Sequence, residues 1–164
     1  MIRIMLILAT FGAQAMLAVP GAPAWAGSIL LPLVWLVWLG MQTDERHPFL
    51  VAIVLGLGWD VLFEPVIGPG GIAFSAAVLV LMWLARHVAD RSPLAWGGAG
   101  AAAAAVVLVV RHIALAPLGL AGHLVTFAVL RSLMLTAGWC LAVGWVLAAD
   151  LPGRWRRLRA RKLR

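Results

Sequence analysis

Six apolar runs, at residues 4–19, 28–41, 49–63, 72–88, 94–116 and 124–148, are separated by short segments rich in Pro, Gly or charge. A bilayer-crossing helix takes about 20 residues, so 164 residues hold six spans and leave no room for a soluble domain. Composition agrees. The chain is 64% hydrophobic and 12% charged with a mean hydropathy of +1.02, beyond the range of ordinary soluble domains. The expected fold is an all-α integral membrane protein of six transmembrane helices over residues 1–153, with a basic cytoplasmic tail at 154–164.

Arg3 and the first run, followed by Ala24-Trp25-Ala26-Gly27, also fit a signal peptide with a small-residue cleavage site. The first run is expected to be an uncleaved span, followed by an uncharged outer loop at residues 20–27. Gln14 and Thr10, polar side chains in that span, are expected to hydrogen-bond a neighbouring helix. The second run is short, with Pro32 near its start. In the fifth, Gly97-Gly98-Ala99-Gly100 and the alanines through Ala105 predict a face for close helix packing, since small residues let backbones approach in lipid.

The net charge of +7 would hint at nucleic acid if the cations were scattered. They are not. With six alternating spans, Arg3, Arg46, Arg86, Arg91 and seven tail cations fall on one side, eleven of thirteen, and the positive-inside rule makes that side cytoplasmic. Both termini are then inside, and no nucleic-acid role is expected. The tail cations are Arg154, Arg156, Arg157, Arg159, Arg161, Lys162 and Arg164. With Trp155 at helical spacing between Leu151 and Leu158, they predict a segment lying on anionic lipid.

Residues 55–71, LGLGWDVLFEPVIGPGG, are what apolar composition cannot explain. Asp60 and Glu64 stand one helical turn apart at the end of the third run, and a Gly68-Pro69-Gly70-Gly71 turn follows. A carboxylate in a spanning segment costs about 2.5–3.5 kcal/mol even on lenient scales. The topology brings Arg111 and Arg131 to a similar depth, which predicts an ion pair from Asp60 to Arg131, or failing that to Arg111. Gly56, one turn before Asp60, leaves room for a neighbouring helix, and Gly68, Gly70 and Gly71 are expected to supply backbone freedom for a sharp turn.

The catalytic and metal signals are thin. Cys140 is the one cysteine, so neither a disulfide nor a cysteine metal cluster arises. Ser75 sits in Phe74-Ser75-Ala76, without flanking glycines and with no histidine in its span, which argues against an intramembrane hydrolase. His47 and His87 belong to one side, His112 and His123 to the other, which argues against a haem pair. No catalytic residue, metal or cofactor is expected.

Gly56-Leu57-Gly58-Trp59-Asp60-Val61-Leu62, with Gly68 eight residues after the aspartate, resembles the rod shape-determining protein MreD family. The pattern there is a glycine four before the aspartate and one eight after it. Length, the short second span with Pro32 and the basic C-terminus also fit. Residues 28–90 carry the similarity. Where members often have a small residue four after the aspartate, this chain has Glu64. The resemblance implies a non-enzymatic inner-membrane scaffold of the cell-elongation machinery. Its partners would be MreC and, with it, the actin-like MreB, RodA and a class B penicillin-binding protein in lateral peptidoglycan synthesis. The interaction motif would be Gly56, Asp60, Glu64, Gly68 and Gly71 with Arg111 and Arg131.

The family is also similar in architecture to the substrate-binding subunits of energy-coupling-factor vitamin transporters, which is the alternative function. A small-molecule site needs convergent polar groups. Apart from the charges, the spans hold little beyond Thr10, Gln14, Ser75, Thr126, Ser132 and Thr136, and the chain has no Tyr or Asn.

Overall fold

A computed structural model describes residues 2–17, 28–41, 48–64, 66–87, 92–120 and 127–148. Six helices form at the six apolar runs: α1 (Ile2–Leu17), α2 (Leu31–Met41), α3 (Pro48–Phe63), α4 (Pro69–His87), α5 (Pro93–Leu115) and α6 (Phe127–Ala148). A 3-10 turn, Ala116–Leu118, extends α5 and closes on Gly119 in the left-handed region at φ 67°. No strand occurs among the described residues. α4, α5 with its 3-10 extension, and α6 are long and apolar enough to cross a membrane, whereas α2 and α3 are apolar but shorter. The charged segments with Arg46 and Arg91, residues 20–27 expected as an outer loop, His47, His123, and the tail from Arg154 to Arg164 lie outside the described residues.

Helix starts follow local chemistry. Pro48, Pro69 and Pro93 each open a helix, where the missing N–H costs nothing and φ is preset. Ser92 caps α5, its Oγ accepting from the Ala95 N–H at 3.3 Å, so α5 begins on an ordinary N-cap. α4 begins three residues before the expected Ile72. Gly70 and Gly71, expected as turn residues, are helical, and of that group only Gly68 has a positive φ, 128°.

α2 is the axis of the bundle. It touches every other helix, and Leu33, Leu36 and Val37 are wholly buried. Its sequence, LPLVWLVWLGM, is apolar on all sides, as a helix surrounded by protein should be. Eleven residues rise only about 16 Å, roughly half the ~30 Å hydrocarbon core, so α2 starts inside the bundle.

Lipid tails are as apolar as leucine, so helix association in a bilayer depends on close packing more than on burial. The predicted small-residue face is used this way. Gly97, Ala99, Gly100, Ala103 and Ala104 of α5 are buried. A Cβ on Gly100 would lie 2.6 Å from Cys140 Sγ, and one on Gly144 of α6 would lie 2.7 Å from the Trp96 Cβ. α2 and α4 also cross closely, with a Cβ on Gly40 landing 2.8 Å from the Leu81 Cβ.

Candidate functional site

The start of α4 poses an accounting problem. The first N–H groups of a helix have no partner within it, Gly70 and Gly71 are buried, and Gly68, at the capping position, has no side chain to help. Asp60 solves it from the last turn of α3. Its fully buried carboxylate accepts from Gly68 N–H through Oδ2 at 2.8 Å. It accepts from Gly70 N–H through Oδ1 at 2.8 Å and Oδ2 at 3.0 Å, and from Gly71 N–H through Oδ2 at 3.3 Å. Pro69 has no N–H, and Ile72 N–H makes the first ordinary helical bond, to Gly68 O at 3.1 Å. Every amide of the first turn is satisfied. The carboxylate also faces the positive end of the α4 dipole, so Asp60 is an N-cap delivered by the preceding helix.

Glycines make the approach possible. A Cβ on Gly56 would lie 2.4 Å from Gly70 O and 2.7 Å from Gly71 Cα, and one on Gly70 would lie 2.3 Å from Asp60 Oδ1. At Gly71 a Cβ would meet Leu57 at 3.3 Å. The backbones of α3 and α4 are therefore in contact at Gly56 and Gly70, and only this closeness lets a side chain as short as aspartate reach the amides. Gly68 supplies the positive φ on which the chain reverses.

The predicted partner of Asp60 is thus corrected. The carboxylate bonds to the backbone of its own following turn, and neither Arg131 nor Arg111 is its partner. Arg111 Nη2 pairs with Glu64 Oε1, joining the end of α3 to α5, while the buried Arg111 Nε has no partner among the described residues. Arg131 Nε donates to Ser28 Oγ at 3.1 Å. The physical reason is proximity: the α4 amides lie eight to eleven residues from Asp60, already bent toward it by the turn, and they fill both of its oxygens.

The start of α2 is built the same way with different parts. Leu30 N–H donates to Thr136 Oγ1 of α6 at 3.3 Å, and Leu31 N–H donates to Gln14 Oε1 of α1 at 3.1 Å. Pro32 has no N–H to satisfy, and Leu33 N–H bonds Leu30 O at 3.0 Å. Ser132 Oγ adds a bond to Ser28 O at 2.6 Å. Gln14 and Thr136 are almost wholly buried. Gln14 does bond a neighbouring helix, whereas Thr10 donates to Ile7 O of its own helix at 2.7 Å. Gly70, Ser28, Ser132 and Thr136 therefore join the site beyond the expected residues. The available signal was the pairing of Pro32 with lone polar side chains in otherwise apolar runs.

Both caps lie at the end of the bundle where α1, α3 and α5 finish and α2, α4 and α6 begin. The Ser75 hydroxyl donates to Gly71 O at 2.7 Å within α4, and no cluster of three or more His, Cys, Asp or Glu that could hold a metal occurs among the described residues. An open recess of about 530 Å³ runs between α1, α2 and α6, lined by Ala9 and Ala13, Trp35 and Trp38, and Trp139 and Val143 among others. Its wall is apolar apart from Thr10, whose hydroxyl is committed to Ile7 O. No family model, curated protein or solved structure matches this chain.

Proposed function

We propose that the chain is a non-enzymatic scaffold of the cell-elongation machinery. It crosses the bacterial cytoplasmic membrane six times with both termini cytoplasmic, and it binds MreC and, with it, MreB, RodA and a class B penicillin-binding protein. The observation that carries this reading is the α3–α4 joint. Gly56, Asp60 and Gly68, the three positions of the MreD-like pattern, have three interlocking tasks: close approach, capping and reversal. A joint locked this way gives two helices a fixed mutual geometry, which suits a surface that partners must recognise.

The vitamin-carrier alternative is disfavoured by the use to which polar groups are put. Asp60, Gln14, Ser132 and Thr136 all bond to backbone atoms, and the large recess offers an apolar wall. A water-soluble vitamin needs the reverse.

Extraction of the tagged chain from its own membranes in mild detergent tests the proposal. Recovery of MreC or a wall synthase is expected, and recovery of an ATPase module or a bound vitamin instead would overturn it. The topology has its own test. A reporter inserted between residues 65 and 70 should be active only in the periplasm and one at Arg164 only in the cytoplasm; the opposite pattern refutes six spans with both ends inside.

A further inference from the structure

We propose that Arg131 and the recess between α1, α2 and α6 form a binding site for one phospholipid, with the phosphodiester on the guanidinium and an acyl chain along the recess. Arg131 is half-buried one turn into α6. Its Nε is fixed by Ser28 Oγ at 3.1 Å, which orients the planar group, and its Nη1 and Nη2 donors have no partner among the described residues. A guanidinium held by one nitrogen, with four further N–H groups to place, matches a phosphate in charge and geometry. Basic pockets between membrane helices take lipid headgroups on these grounds.

Arg131 is not itself in the recess wall, but its anchor Ser28 is close in the chain to a residue that is. Leu31, at the upper end of the recess, is three residues from Ser28, and Gln14, which holds the Leu31 N–H, lies next to Ala13. From Arg131 the wall residues Trp139 and Val143 are eight and twelve positions along α6, about 12 and 18 Å at 1.5 Å per residue. One leaflet of hydrocarbon is roughly 15 Å, half of the ~30 Å core. The distance from cation to recess floor is therefore that from a headgroup to the bilayer midplane. The wall has no uncommitted hydroxyl, as an alkyl chain requires. A partner's transmembrane helix in the same place would cover the guanidinium with apolar side chains, whereas a phosphodiester brings acceptors.

The test is native mass spectrometry of the full chain reconstituted in vesicles of phosphatidylglycerol and phosphatidylethanolamine, then transferred to detergent. The wild type should retain one phospholipid. Ala13→Trp fills the recess without touching a polar contact, and Arg131→Gln removes the cation. Each should weaken retention about tenfold or more, the scale of one charge-assisted bond or of a blocked chain. Ala9→Leu gives a second recess variant, so that a folding defect in Arg131→Gln is not decisive. Retention unchanged in both recess variants, or a wild type that keeps no lipid, overturns the site. So does a co-purified polypeptide that is lost from Ala13→Trp while lipid is not. The wall-synthesis reading is untouched by either result, because it is judged by protein partners.

Discussion

Replacing Asp60 should destabilise the fold in a graded order that an ion pair would not produce. Asp60→Asn keeps one carbonyl oxygen. If that oxygen takes the place of Oδ2, it can still accept from Gly68, Gly70 and Gly71, but the new NH₂ then points at Gly70 N–H, whose distance to Oδ1 is 2.8 Å. One charge-assisted bond is lost, and so is the negative charge at the α4 N-terminus, for a cost of about 1.5–3 kcal/mol. Asp60→Ala strips all three amides of their acceptor. The two short bonds, to Gly68 and Gly70, together represent about 2–6 kcal/mol when buried donors are left unpaired, a large part of the 5–15 kcal/mol typical of a whole domain. Asp60→Glu should resemble Ala more than Asn, because the Gly70 backbone is already against the carboxylate and an added methylene has nowhere to go. Reversible unfolding in mixed micelles measures the series directly. The capping account fails if Asp60→Asn is as stable as wild type, or if Asp60→Arg combined with Arg131→Asp recovers what each single exchange loses.

Gly56→Ala should cost about 1–3 kcal/mol or more by overpacking, since the new methyl would sit 2.4 Å from Gly70 O; a melting temperature equal to wild type would contradict the backbone contact. Arg111→Lys should be tolerated and Arg111→Gln should not. Only Nη2 bonds Glu64, so one ammonium suffices, while removal leaves a largely buried carboxylate unpaired at about 1–3 kcal/mol, readable as a difference in thermal shift. Exchanging Arg156, Arg157, Arg159 and Arg161 for Gln should leave topology intact yet make the tail sensitive to protease in anionic vesicles, since each cation near such a surface contributes about 1 kcal/mol; unchanged protection means the cations only orient the chain.

Much of the architecture was legible from residue order alone, because helix placement in an apolar chain depends on where hydrophobic runs stop and prolines start. The six runs, the small-residue face of α5 and the importance of Asp60 all follow from side-chain identity. The partner of Asp60 does not. It is a set of backbone N–H groups, which every residue but proline carries and which leave no mark in a sequence, so arithmetic on charges pointed to arginines. The same holds for α2, whose start is capped by Gln14 and Thr136 from 17 and 106 residues away. Nor could spacing tell that Gly70 is needed for closeness and Gly68 for its φ, since both read as turn glycines until the crossing of α3 and α4 placed one against Asp60 and left the other with open space around it. Local chemistry decided where helices begin, and only the tertiary contacts decided which distant groups complete their unpaired ends.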